Sequence, residues 1–202
     1  MVTGTEEKLP KDPPPSALLN ARYEVVPFRQ HGREAVLAEL DRWCDEGPPI
    51  AVRLLHAEGG AGKTRLAIEW IRRRRDQRWA AGFLPGKVPD DWFEQLRALG
   101  PPVLGVIDYA ESRSDLSTLL ERVHRSASQK KGNRYHQMRF LLLARNDGDW
   151  WQSLVRTDSP LSRWLGTTPP YRLEPLATSA PDRKTVFREA SEWFAKKRKK
   201  KL

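Results

Sequence analysis

Short apolar runs alternate along this chain with stretches whose apolar residues recur at helical spacing. Ile50-Ala51-Val52-Arg53-Leu54-Leu55, Val103-Leu104-Gly105-Val106-Ile107 and Phe140-Leu141-Leu142-Leu143-Ala144 are too short for buried helices. Nearly continuous apolar runs of that length suit parallel strands covered on both faces. Trp79-Ala80-Ala81-Gly82-Phe83-Leu84 and the brief Tyr171-Arg172-Leu173 add two further strand candidates. The intervening stretches predict helices over 32–45, 62–75, 91–99, 114–125, 149–156 and 182–197. Their inward stripes are Val36/Leu40/Trp43/Cys44, Leu66/Ala67/Trp70/Ile71, Trp92/Leu96/Leu99, Leu116/Leu119/Leu120/Val123 and, in the last helix, Val186/Phe187/Ala190/Phe194. Gly47-Pro48-Pro49 and Gly100-Pro101-Pro102 stop two of these helices. Strands alternating with helices predict an α/β three-layer sandwich: a five-stranded parallel sheet flanked by helices. Residues 1–22, polar and rich in proline, read as a flexible arm. Residues 23–195 form the domain, and 196–202 a basic tail.

The chemistry concentrates at the ends of the strands. Between the first strand and the helix after it lies Ala57-Glu58-Gly59-Gly60-Ala61-Gly62-Lys63-Thr64. A glycine-rich turn ending in Gly-Lys-Thr, set between strand and helix, is the P-loop context. Gly59, Gly60 and Gly62 let the backbone curl around phosphate oxygens without Cβ clashes. Successive N–H groups, including that of Ala61, and the helix N-terminus make an anion cradle. Lys63 would reach the β- and γ-phosphates, and the Thr64 hydroxyl would ligate Mg²⁺. Ala57 occupies the slot where the strict pattern has its first glycine, so the loop opens on a stiffer residue.

Asp108 closes the third strand, after five apolar residues. A carboxylate at that edge faces the crevice where α/β sheets bind ligands, and it can support a metal ion opposite Thr64. Glu111, three residues on, is the candidate to polarise an attacking water. Tyr109 holds the slot directly after the Asp, where many P-loop ATPases place that Glu. Arg145 ends the fourth strand and is the candidate γ-phosphate sensor. Lys63, Glu111 and Arg145 are thus the candidate catalytic set, and Thr64 and Asp108 the candidate metal set.

Charge widens the picture. The chain has 36 Lys+Arg against 26 Asp+Glu, a formal net charge of +10. Part of the excess is local, in Arg72-Arg73-Arg74-Arg75 and in the cationic run 196–201. The first run would complement the negative end of the helix after the P-loop. The second reads as a solvated terminus and a candidate nucleic-acid or acidic-protein contact. The single cysteine, Cys44, permits no intrachain disulfide and reads as a small buried apolar residue. No stretch has the roughly 18 uninterrupted apolar residues of a membrane span. The expectation is a cytoplasmic protein with no membrane partner.

With these residues in place the chain resembles the nucleotide-binding domain of the STAND class of P-loop NTPases. These are signal-transducing relatives of the AAA+ ATPases and include the NB-ARC and NACHT groups. Phe28-Arg29-Gln30-His31-Gly32-Arg33-Glu34 is similar to the family's entry motif, which lies by the adenine; this implies Phe28 and Arg33 as nucleotide contacts. Glu58-Gly59-Gly60-Ala61-Gly62-Lys63-Thr64-Arg65-Leu66-Ala67 resembles its Walker A element and brings Arg65 into the cofactor-binding set. Val106-Ile107-Asp108-Tyr109-Ala110-Glu111 resembles the Walker B of bacterial members, with the acidic residue three past the Asp as in NACHT proteins. Leu142-Leu143-Ala144-Arg145 resembles the sensor-one strand, and Leu173-Glu174-Pro175-Leu176 the segment leading to the lid.

The resemblance implies an ASCE/AAA+-like fold that binds ATP or ADP with Mg²⁺. It also implies a switch that oligomerises in the ATP state and engages a protein effector, with slow ATP hydrolysis. The chain stops where the family's lid begins, and no winged-helix segment with its nucleotide-contacting His follows. The expectation is a fragment, a truncated product or a subunit that borrows its lid. The rival reading is a basic adaptor for nucleic acid or protein with a vestigial nucleotide pocket. Against it, none of the eight Trp falls in a base-reading or stacking motif. A small-molecule kinase is a weaker alternative, since no acceptor-site signature follows the fourth strand.

Overall fold

In the computed structural model, residues 14–29, 32–93, 95, 100–128, 137–156, 160–177 and 179–199 are described. Five parallel strands make one sheet: β1 (Ile50–His56), β2 (Ala80–Phe83), β3 (Val103–Ile107), β4 (Met138–Ala144) and β5 (Tyr171–Arg172). Their spatial order is β2-β3-β4-β1-β5. The helices are α1 (Glu34–Glu46), α2 (Lys63–Asp76), α3 (Leu116–Ser128), α4 (Asp149–Arg156), α5 (Pro160–Leu165) and α6 (Ala180–Lys199). This is the predicted sheet flanked by helices, with strand bounds shifted by a residue or two. The helix predicted at 91–99 is described only in part. Trp92 is fully buried there, while Leu96 and Leu99 lie outside the described residues.

Two apolar layers explain why the strands are nearly all apolar. Side chains alternate across a strand with period two. Val52 and Leu54 of β1, Phe140 and Leu142 of β4, and Ile107 of β3 enter one core with Leu119, Leu120 and Val123 of α3 and Trp151 of α4. Leu55, Leu141, Leu143, Leu104 and Val106 enter the other, with Leu40 and Cys44 of α1 and Leu66, Trp70 and Ile71 of α2. Gly105 lies where the layers pinch: a Cβ there would overlap Leu84 and press on Phe140.

Three regions depart from the sequence-based expectation. The 1–22 arm contains ordered chain in its described part: 3-10 turns run over Pro15–Leu19 and Ala21–Tyr23. The boundary at 22 therefore falls inside a turn. That turn is fixed because the Asn20 side chain caps it at the Arg22 N–H and Glu24 pairs with Arg65 and Arg72 of α2. The final helix is longer than predicted at both ends, so the first residues of the basic tail are helical. Phe187, expected inward, is 74% exposed because only the Val186/Ala190/Phe194 side of α6 faces the rest of the chain. Finally, α5 was not anticipated in its Trp- and Pro-rich stretch.

Three of the four arginines at the end of α2 are paired with carboxylates. Arg72 pairs with Glu24, Arg73 with Glu69, and Arg74 with Asp41 and Asp45, while Arg75 donates to the Ala81 carbonyl. Another guanidinium is wholly buried. Arg139 of β4 donates to the carbonyls of Trp43 (3.1 Å), Cys44 (2.8 Å), Pro48 (2.7 Å), Pro49 (3.3 Å) and Met138 (3.2 Å). It thereby caps the C-terminus of α1 and ties its exit loop to the central strand, a favourable place for a cation. Removing it takes a donor from the buried Cys44 carbonyl and from part-buried carbonyls at the end of α1, and each buried loss costs about 1–3 kcal/mol. Arg139→Ala is expected to lower unfolding free energy in urea by at least about 3 kcal/mol. Arg139→Lys should recover only a minor part, since an ammonium cannot span the same set of acceptors.

Candidate functional site

The order of the strands creates the site. β1 and β3 lie on either side of β4, so the loops leaving β1 and β3 open a crevice at the carboxyl ends of the sheet. A cleft of ≈ 950 Å³ occupies it. On its floor lies the loop 57–62. Gly60 (φ 80) and Gly62 (φ 89) adopt left-handed backbone that favours glycine, and Gly62 caps α2. Gly59 is different. Its φ is ordinary, and a Cβ there would meet nothing within 4 Å. The fold does not require glycine at that position, whereas a ligand approaching the backbone closely would. Ala57 is buried in the core and its N–H donates to Ala144, so alanine fits that position without strain.

The first-turn N–H groups of α2, at Lys63, Thr64 and Arg65, are the ones that a helix leaves without intrahelical partners. They face the cleft floor with the positive helix end behind them. Lys63 Nζ donates to the loop carbonyls of Ala57 (2.6 Å) and Glu58 (3.0 Å). Burial lowers the Lys63 pKa, reinforced by Arg145, while Glu111 and Asp108 oppose the shift. Thr64 Oγ1 donates to Asp108 Oδ2 at 3.1 Å, joining α2 to the tip of β3. Burial raises the Asp108 pKa, against the hydrogen bonds from Thr64 and the Tyr109 N–H and the charges of Arg22 and Lys63.

Glu111 sits in a 3-10 turn over Ala110–Ser112. Its Oε1 accepts from the Arg145 N–H at 3.1 Å, bridging the tips of β3 and β4. Its Oε2 is buried with no hydrogen-bond partner among the described residues. The Arg145 side chain is exposed at the mouth of the same cleft. The structure therefore brings Lys63, Thr64, Asp108, Glu111 and Arg145 to one crevice. Tyr109, in the slot after the Asp, takes a left-handed conformation (φ 54) that turns its ring outward, 57% exposed.

The other predicted contacts lie along the same cleft. Arg65 pairs with Glu24 at 2.9 Å and stacks over the Phe28 ring at 5.8 Å. Arg33 is almost fully buried, and its guanidinium bridges two carbonyls: Ala61 of the loop (2.7 Å) and Glu174 beyond β5 (2.7 Å). It thus holds the loop in shape as well as lining the cleft. Burial also lowers the Arg33 pKa, partly offset by Tyr171.

The structure adds lining residues that the sequence reading missed. Val186, Ala190, Trp193 and Phe194 of α6 wall the side opposite the loop, with the Arg29–Glu189 ion pair (3.1 Å) tying the helix down. Arg22 comes from the arm. The helical stripe of α6 was visible in the sequence, but not what it covers; Arg22 carried no local signal.

No protein-family model matches the sequence, and no curated protein is significantly similar to it. Solved structures do match. The Aeropyrum pernix ORC1 protein, solved in complex with DNA, superposes with a TM-score of 0.58 at 17% identity over 84% of this chain and 51% of that one. The Aeropyrum pernix ORC2 protein, solved as ADPNP–ADP complexes, gives 0.56 at 16% identity over 83% and 52%. Cdc6p from Pyrobaculum aerophilum gives 0.54 at 18% over 83% and 51%. The chain spans about half the length of these proteins. At such identities the likeness is one of fold: a five-stranded parallel sheet flanked by helices.

Two outcomes test this geometry without any ligand. Arg33→Ala should lower stability by about 2 kcal/mol, the range of a charge-assisted hydrogen bond. It should also speed amide exchange in residues 58–62 by mass spectrometry; unchanged exchange would mean that the loop is held without the bridge. Asp108→Asn keeps an acceptor for Thr64 but removes a buried charge. At neutral pH it should raise the melting temperature by roughly a few degrees. Because folding raises the Asp108 pKa, the native carboxylate is penalised at high pH and relieved when protonated. The gap between the two proteins should therefore narrow as pH falls through the raised value.

Proposed function

We propose that this chain binds adenosine di- and triphosphates with Mg²⁺ and forms the nucleotide-binding core of a STAND-type signalling switch with slow ATP hydrolysis. The observation that carries the reading is the meeting of Thr64 and Asp108, 3.1 Å apart, at the foot of a glycine cradle whose Gly59 has no internal reason to be glycine. These two oxygens suit Mg²⁺, which takes one or two protein oxygens and completes its shell with phosphate and water. Among the described residues no cluster of three or more His, Cys, Asp or Glu offers a protein-only metal cage. Burial raises the Asp108 pKa, and a cation bound there would offset that by favouring the charged carboxylate. Bound there, Mg²⁺ would neutralise phosphate charge.

The protein groups supply the rest by position. Lys63 exchanges its two loop carbonyls for β- and γ-phosphate oxygens. The loop N–H groups and the α2 N-terminus hold the bridging and terminal oxygens. Glu111 Oε2, buried and without a donor, accepts the proton of a water aligned behind the terminal phosphate. Arg145 balances charge that builds on that phosphate. The apolar wall from Phe28 to α6 receives the base.

The STAND assignment is supported by the entry segment, where Phe28 and Arg33 both line the cleft, and by the spacing of Asp108 and Glu111. Oligomerisation in the triphosphate state and a protein effector follow from that assignment. A second reading, a nucleic-acid adaptor, draws on the exposed Lys196 and Lys197 of α6 and on the DNA held by the ORC1 neighbour. It is weakened by the pairing of Arg72, Arg73 and Arg74 with carboxylates of this chain. No helix among the described residues is long and apolar enough to cross a membrane.

Isothermal calorimetry with Mg²⁺ should show binding of both nucleotides, and Lys63→Ala should abolish it; retention of micromolar affinity would count against the reading. Glu111→Gln should keep nucleotide affinity while slowing phosphate release by about 10²-fold or more. Deleting residues 196–201 should leave nucleotide affinity unchanged. If the adaptor reading holds instead, that deletion removes a polynucleotide affinity with a steep salt slope.

A further inference from the structure

We propose that a second cleft, at the exits of β2 and β3, binds a small organic acid: one carboxylate carried on an apolar or aromatic body. No residue of the glycine loop lines this cleft, so the inference does not rest on the nucleotide reading.

The cleft measures ≈ 670 Å³, within the size range of small-molecule sites. β2 and β3 are neighbours, and their carboxyl ends bring Phe83, Leu84, Asp108 and Tyr109 to its lining. Its walls are held by Arg113, whose side chain is only 9% exposed. That guanidinium donates to the carbonyls of Pro85 (3.1 Å) and Gly86 (3.3 Å) in the loop leaving β2. It also donates to both carboxylate oxygens of Asp115, at 2.7 and 3.2 Å, just before α3. Arg122 of α3 holds the same loop further along, through the carbonyls of Pro89 (2.9 Å) and Asp90 (2.5 Å). The loop is therefore fixed at two points, and the cleft is formed before any ligand arrives.

The chemistry of the lining selects the ligand. Arg113 and Asp115 satisfy each other. Among the described residues, the Lys87 ammonium and the Ser112 and Ser114 hydroxyls make no side-chain hydrogen bond or ion pair, and all three residues are exposed. An ammonium only donates, and the hydroxyls can donate beside it, which suits an anion. The lining holds three cations, Arg22, Lys87 and Arg113, against two carboxylates, Asp108 and Asp115. A single excess positive charge fits a monoanion, and the two carboxylates disfavour a phosphate dianion. Gly86 points the same way. Its φ is ordinary and a Cβ there would meet nothing within 4 Å, so the fold does not require glycine, whereas a ligand lying against the loop does. Phe83 and Leu84, both buried, supply an apolar floor. The Tyr109 ring, 57% exposed, supplies a flank for a flat or apolar body. Its backbone is left-handed (φ 54), and strain of that kind clusters at ligand sites. Arg22, Asp108 and Tyr109 are shared with the main cleft, but Gly86, Lys87, Ser112 and Ser114, which carry the recognition, are not.

The experiment is an NMR titration of the full chain, without nucleotide, using 3-phenylpropanoate, its neutral amide and inorganic phosphate as probes. The acid should bind with a dissociation constant of about 1 mM, as its size allows, and should shift amide signals within 84–88 and 109–115. The amide should bind about fivefold more weakly, the worth of one exposed charge pair. Lys87→Gln should remove most of that preference and Lys87→Arg should keep it, while Lys184→Gln on α6 should change nothing. Gly86→Leu should fill the open face of the loop and remove binding of acid and amide alike. Should that variant fail to fold, the Lys87→Gln comparison decides alone. Equal binding of acid and amide by the native chain, tighter binding of phosphate, shifts confined to other residues, or no binding of the acid up to its solubility limit would each overturn the inference. The Lys63→Ala chain should retain the acid whatever it does with nucleotide, so failure of either reading leaves the other standing.

Discussion

The site depends on one constraint: β4 is inserted between β1 and β3 with a fixed register. His56 of β1 pairs with Ala144, and Ile107 of β3 pairs with Leu142. One residue beyond those pairs come Ala57, Arg145 and Asp108. The loop, Arg145 and Asp108 are therefore brought to one edge of the sheet by the ladder, before any contact between them forms. A one-residue slip of β4 would reverse which core each of its side chains enters. Leu141 and Leu143 belong to one apolar layer, and Phe140 and Leu142 to the other. Hydrophobic burial on both faces thus enforces the positions of the polar groups at the strand tips.

The buried cations serve the same end. Arg139 locks β4 to the end of α1, and Arg33 locks the phosphate loop to the chain leaving β5. Both do so through main-chain carbonyls, which are acceptors whatever the neighbouring side chains are. Arg74 does a comparable task with Asp41 and Asp45 between α1 and α2. A formal charge of +10 would suggest a polyanion-binding surface. Arg33 and Arg139 are instead buried against main-chain carbonyls, so those two positive charges are withdrawn from the surface.

The architecture was legible where periodicity was strong. Strands β1, β3 and β4, helices α1 to α3, and the chemistry of Gly62-Lys63-Thr64 and Asp108 all follow from local pattern. What was not legible depends on tertiary contact. Phe187 belongs to a plausible inward stripe, but α6 is covered on one side only and that ring lies off the covered face. Arg33 reads as an adenine neighbour by motif, yet its guanidinium is spent on two carbonyls far apart in sequence, those of Ala61 and Glu174. The ordering of Ala21–Tyr23 depends on Glu24 adopting positive φ, a choice that no sequence rule assigns to glutamate. The orphan oxygen of Glu111 likewise appears only once its partner oxygen is committed to Arg145.

The cleft's enclosure follows from these details. A P-loop core alone offers a phosphate floor and an open side. Here two segments outside the sheet close that side from opposite directions. The segment 14–29 lines the cleft and is fastened to α2 by Glu24. The helix α6 lines it too and is fastened to the same segment by Arg29 and Glu189. Because those two attachments share one piece of chain, strain at either end is passed to the other. The helix α6, whose outward face carries Phe187, is thereby linked to α2 through one segment of chain. The links are ion pairs, and such contacts rearrange at little cost compared with the packed sheet beneath them.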